Sequence, residues 1–170
     1  TTTRRRARAS YTKRNTYNAL DTLMASPRPM NDAQRDAYIQ GFKAALHAIQ
    51  FAPVSTKIHW RVMADAVNLV ETFCAHPWPD PSGKGVIDIA DESGALEAAT
   101  QAMREAAKTH RMQGGSIRLS ATGREALADL VDLLDTILQT VSHRSALHCH
   151  NECEAAIKQH RAAGASIVTL

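Results

Sequence analysis

Apolar positions recur at helical spacing along most of the chain. Tyr38, Phe42, Ala45, Leu46 and Ile49 share one face of a helix, Asn31 with Gln34 forms a capping box ahead of it, and Ala52-Pro53 stops it. Ile58, Val62, Ala66, Leu69 and Phe73 make a second stripe, with Arg61, Asp65, Asn68 and Glu71 set around it and Ser55 as the expected cap. These two helices are expected to pair as an antiparallel hairpin. A shorter helix, capped by Thr16 and carrying Leu20, Leu23 and Met24, is expected before them; Ser26-Pro27-Arg28-Pro29 ends it, because proline keeps its predecessor out of the helical region.

The run His76-Pro77-Trp78-Pro79-Asp80-Pro81-Ser82-Gly83 cannot be helical, since prolines at alternate positions remove donors and force extended backbone. Beyond it, Val86, Ile89, Leu96, Met103 and Ala107 suggest one helix to about Arg111, weakened at Ser93-Gly94. Gln113-Gly114-Gly115 breaks the chain again, and Ile117 and Leu119 fit a short extended piece. Ser120 or Thr122 then caps the next helix, with Thr122 and Glu125 the better capping box. Leu127, Leu130, Val131, Leu134, Ile137, Leu138 and Val141 give the cleanest amphipathic pattern and mark a central core helix. The stripe lapses at Ser142-His143-Arg144 and resumes with a changed phase at Ala146, Cys149, Cys153, Ala156 and Ile157, which predicts a break. Gly164 is the expected end of the last helix.

The pattern predicts an all-α protein, a compact helical bundle of about five or six helices with a basic N-terminal arm. The arm covers residues 1–15 and the helical domain 16–170, with lobes 16–75 and 86–170 as the division that a Pro-rich loop over 76–85 would allow. At 170 residues the chain is the size of one domain able to bury a core without staples. Aromatics make up only 5% of it, so that core must be built from aliphatic side chains.

Charge changes this picture. The net charge of +3 conceals an asymmetry: Arg4, Arg5, Arg6, Arg8, Lys13 and Arg14 all lie in the first 14 residues, with no acid before Asp21. Without those six, 14 basic residues face 17 acidic ones, so the body carries about −3. A stretch so poor in apolar side chains cannot offset its ordering entropy by burial and is expected to be mobile when unbound. Clustered guanidinium groups match phosphate oxygens in pairs and release counterions on binding. Arg4, Arg5, Arg6, Arg8, Lys13 and Arg14 are therefore the candidate nucleic-acid contacts, with Tyr11 as a stacking residue. A solubilising tail, or an arm that docks on an acidic protein surface, would have the same composition.

Other chemistry is sparse. Three cysteines, Cys74, Cys149 and Cys153, are too few for a disulfide framework and fit a reducing compartment. No apolar run approaches the ~20 residues that span a bilayer, so the expected location is cytoplasmic, with no membrane partner. His143 to Cys153 is dense in zinc-type ligands. Cys149, His150 and Cys153 are its metal candidates, with Cys74 or His76 as a distant fourth ligand, but the paired spacing of zinc modules is missing and the cysteines sit where the stripe needs small hydrophobes. No metal and no other cofactor is expected. Asp129 and Asp132, in a series with Glu125 and Asp135, are read as a solvated face able to dock a basic partner. Trp60 and Trp78 are either interface anchors or packing residues. The chain has no Gly-x-Ser-x-Gly elbow, phosphate-binding Gly-x-x-x-x-Gly-Lys or His-Glu-x-x-His, so it is expected not to be an enzyme.

Ile117-Arg-Leu119-Ser120-Ala-Thr-Gly123-Arg124-Glu-Ala-Leu127 resembles the strand-to-helix junction of winged-helix regulators. Those proteins place a β-hairpin before this junction, whereas here only Met112 to Ser116 separates it from the preceding helix. The arginine-rich start running into Tyr11-Thr-Lys-Arg14, followed by an alanine-rich helical body, is similar to small accessory proteins of proteobacterial phages and plasmids. That resemblance implies a host-modulating or anti-defence role exerted by binding. The expected function is a non-enzymatic binder of nucleic acid or a nucleoprotein through the arm. The alternatives are an inhibitor or adaptor that grips a protein through its body, and a zinc-supported transcriptional regulator.

Overall fold

The computed structural model describes residues 24–51, 56–113 and 117–163. Five helices run through them: α1 Asp32–Phe51, α2 Lys57–Ala75, α3 Ala95–Gln113, α4 Ala121–Thr140 and α5 His143–Ala162. A small antiparallel hairpin between α2 and α3 pairs β1 Trp78–Pro79 with β2 Val86–Ile87. The expected helix around Leu20, the Ser55 cap and the Gly164 stop lie outside the described residues.

Local chemistry sets the helix ends. At α1 the Gln34 N–H donates to Asn31 Oδ1 at 2.9 Å and the Asn31 N–H donates to Gln34 Oε1 at 3.1 Å, a reciprocal box that satisfies two otherwise unpaired donors. Thr56 is the N-cap of α2, and its N–H donates to His59 Nδ1 at 3.2 Å. The helix expected from Val86 begins instead at Ala95. Gly94 takes a left-handed φ of 74°, and the Asp91 carboxylate accepts the N–H groups of Ala95 and Leu96 at 3.1 and 2.7 Å, so the chain turns before it winds. Ahead of it, Val86 and Ile87 are spent on the hairpin. At α4 the cap is Ser120, not Thr122: Ser120 Oγ accepts the Gly123 N–H at 3.0 Å.

The core draws on both sides of the Pro-rich loop. Helix α4 lies at its centre, in contact with α1, α2 and α3, and buries Leu127, Leu130, Val131, Leu134, Ile137 and Leu138 as its pattern predicts. Helix α2 meets it with Trp60, Met63, Ala66, Leu69, Val70 and Phe73. Ile58, expected on that stripe, is 68% exposed, one turn too early to reach the core. Gly123 passes so close to α3 that a Cβ there would sit 3.3 Å from the Ala102 Cβ and 3.0 Å from the Leu119 Cδ2. Residues 117–120, the piece resembling a winged-helix junction, have irregular backbone that leads into this capped start.

The break predicted at Ser142 organises one end of the molecule. Helix α4 stops at Thr140 and α5 starts at His143. There, the segment before α1 crosses the junction: Pro29 bridges to Ser142, the Arg144 N–H donates to Ser26 O at 3.0 Å, and Arg144 Nε donates to Ala25 O at 3.2 Å. These bonds fix residues 25–29 against the start of α5.

Candidate functional site

A cleft of about 860 Å³ opens at this junction. One wall is Pro27 and Arg28, a second is the start of α5 with Ser142, Arg144, Ser145 and His148, and the third is the proline loop from His76 to Gly83. The loop is stiff because proline fixes φ, and its turn is closed by Asp80, whose N–H donates to Gly85 O at 2.9 Å while Ser82 N–H donates to the Asp80 carboxylate at 2.7 Å.

Trp78 anchors the loop. Its side chain is 2% exposed, its indole N–H donates to Phe73 O at 2.9 Å, and its ring tilts against Phe73 with centroids 5.3 Å apart. His76 lies on the same indole at 4.4 Å between centroids, and His148 meets it edge-on at 6.0 Å. Glu152, one turn along α5 from His148, holds both imidazoles: Nε2 of His76 is 2.9 Å from one carboxylate oxygen and Nε2 of His148 is 3.1 Å from the other. The bond to Glu152, helped by the Pro77 carbonyl, raises the His76 pKa above its ordinary value against a small opposing effect of burial. The cleft is thus lined by two arginines and two histidines, with Asp80 as the acid on its rim.

Ser142 and Ser145 are buried beside it and satisfy one another, Oγ to Oγ at 2.9 Å, while the Ser145 N–H donates to Ser142 Oγ at 3.0 Å. Neither hydroxyl is bonded to an imidazole in the way a nucleophile and its base would be.

The candidates named from sequence fall in different places. Arg4, Arg5, Arg6, Arg8, Tyr11, Lys13 and Arg14 lie outside the described residues. Trp60 is wholly buried and Trp78 nearly so; both pack in the core, and Trp78 also lines the cleft. Asp129 and Asp132 are exposed on α4, whereas Asp135 is drawn into ion pairs with Arg35 at 3.3 Å and Lys43 at 2.7 Å on α1. Cys149 and Cys153 face α2, where Cys149 Sγ donates to Leu69 O at 3.6 Å and Cys153 Sγ to Asn68 O at 3.3 Å. Burial pushes the Cys149 thiol far above its ordinary pKa, while the hydrogen bond with Cys149 lowers that of Cys153 against burial. Among the described residues no group of three or more His, Cys, Asp or Glu side chains is arranged to hold a metal ion; Cys149 and Cys153 lie in the core, and His148 lines the cleft.

The cleft residues Arg28, Arg144, His76 and His148 were not foreseen as a site. The signals were present: His148 and Glu152 stand at i, i+4, the stiff His76–Gly83 run announced a fixed loop, and Pro27-Arg28-Pro29 announced an extended one. What the sequence lacked was the crossing of residues 25–29 over the start of α5.

No protein family, curated relative or solved structure matches the chain. Among the described residues no helix is long and apolar enough to cross a membrane.

Proposed function

We propose that this protein works by binding nucleic acid, free or within a nucleoprotein, with its arginine-rich N-terminal arm and the cleft that Arg28 and Arg144 line forming one interface. The observation that carries the reading is the position of Arg28. The segment into which the arm leads is pinned across α5, so Arg28 and Arg144 line the cleft only 14 residues beyond Arg14 in the case of Arg28. Arginine forks in succession suit a phosphate backbone, whose spacing repeats them. An accessory role on a phage or plasmid, the role implied by the resemblance, is compatible with action by binding alone.

The test is fluorescence polarisation with generic DNA and RNA, comparing the intact chain with one in which Arg4, Arg5, Arg6, Arg8, Lys13 and Arg14 are glutamine. Binding by the intact chain should weaken steeply between about 50 and 200 mM salt, and the substituted chain should bind at least about a hundredfold more weakly at the lower salt. Arm-independent or salt-insensitive binding would overturn the reading. Exposed Asp129 and Asp132 favour a second reading, in which α4 docks a basic protein; then D129N/D132N, and not the arm substitutions, would release the partner.

A further inference from the structure

We infer that the cleft seats one unstacked nucleotide of a single strand, its base against the His76 imidazole and its phosphate between Arg28 and Arg144. This rests on the nucleic-acid reading above and goes further by naming the form of nucleic acid and the contacts.

Three features of the cleft point there. The first is a ready stacking surface. One side of the His76 ring is packed on a buried tryptophan, so the ring is held in place by the core and not by solvent-exposed rotamers, yet its side chain stays 42% exposed. Glu152 clamps the same imidazole through Nε2, which fixes its plane and favours the charged form. A ring with a locked plane is a better base platform than a free one, because its ordering entropy is already lost on folding.

The second feature is where the cations lie. Arg28 and Arg144 line the same cleft as His76, Arg28 from the segment that crosses α5 and Arg144 from the start of α5, where its Nε donates to Ala25 O. An imidazole ring and guanidinium groups in one cleft are the partners that a base and its phosphate need. His148, 56% exposed and edge-on to Trp78, supplies a further imidazole beside the same indole.

The third feature is size and stiffness. A cleft of about 860 Å³ is within the range of small-ligand sites, and its walls are proline-bound and hydrogen-bonded to the start of α5. A duplex keeps its bases stacked inside and offers no ring face to His76, so only a single strand, a loop or a frayed end can fill the cleft.

The inference is tested on the full-length chain with fluorescent oligothymidylate, oligouridylate and a hairpin duplex, together with the side-chain NMR signals of Trp78 Nε1–H and the two imidazoles. Both single strands should bind more tightly than the duplex and should shift the Trp78, His76 and His148 signals at saturation. H76A should weaken single-strand binding about tenfold and leave duplex binding unchanged. R28Q, at an exposed position, should weaken it several-fold and lower the salt slope by about 0.7. R28Q is the variant least able to disturb folding, and H148Q should produce a smaller change in the same direction. If the chain binds no nucleic acid at all, the underlying reading fails. If it binds, but equally to duplex and single strand, with unchanged affinity in H76A and R28Q and no shift at Trp78, the cleft is not a nucleotide seat. Saturation of the same signals by an acidic peptide, with no response to either oligonucleotide, also overturns the inference.

Discussion

The imidazole of His76 rests on the Trp78 indole with centroids 4.4 Å apart and planes inclined by 34°. Through that contact the hydrophobic core extends to the floor of the cleft. Replacing Trp78 by alanine should therefore cost about 3–5 kcal/mol in urea unfolding and loosen the loop as well. W78F keeps most of the packing and loses the bond to Phe73 O, so its cost should be nearer 1–3 kcal/mol.

The His76–Glu152 pair makes stability depend on pH. The folded pKa of His76 is raised above 6.5, so the pair contributes fully below that value and its contribution is lost as pH rises through the folded pKa. The difference in unfolding midpoint between the native chain and H76Q should be largest below about pH 6.5 and fall away as pH rises through the raised folded pKa. A difference that grows toward alkaline pH would contradict the pairing.

Ser120 and Thr122 separate two accounts of how α4 begins. Since Ser120 Oγ accepts the Gly123 N–H, S120A should cost about 1 kcal/mol and T122A no more than about 0.5 kcal/mol in chemical denaturation. The opposite order would favour the Thr122–Glu125 box.

Asp135 joins α4 to α1: its Oδ2 accepts a hydrogen bond from Lys43 at 2.7 Å, and its Oδ1 lies 3.3 Å from Arg35 Nε in an ion pair. Its side chain is largely buried while Lys43 is half exposed, so D135A should cost about 1–2 kcal/mol and K43A less than about 1 kcal/mol. Because screening weakens the exposed half of the cluster, the K43A effect should shrink at high salt.

Much of the helical layout was legible because burial imposes a period. The α4 stripe from Leu127 to Leu138 is visible in sequence and lies in the core, and the Asn31–Gln34 box is local chemistry that any context leaves intact. The misplaced start of α3 has the reverse cause. Val86 and Ile89 continue the apolar spacing, but Gly94 and the Asp91 carboxylate stop the helix short of them, and β1 recruits Val86 into the hairpin. The cleft was hidden for a related reason. Arg28, His76 and His148 come from three separated stretches, and only the crossing of residues 25–29 over α5 brings them to one opening.

The account stands on the arm and the cleft sharing one nucleic-acid strand, and the salt dependence of single-strand affinity tests that most directly. For the intact chain, log Kd against log salt should have a slope of magnitude about 4–6, matching six arm cations with Arg28 and Arg144. Neutralising the arm should reduce it to about 1–2, and adding R28Q should reduce it again. A slope near zero for the intact chain, or one unchanged by removing the arm charges, would contradict the account.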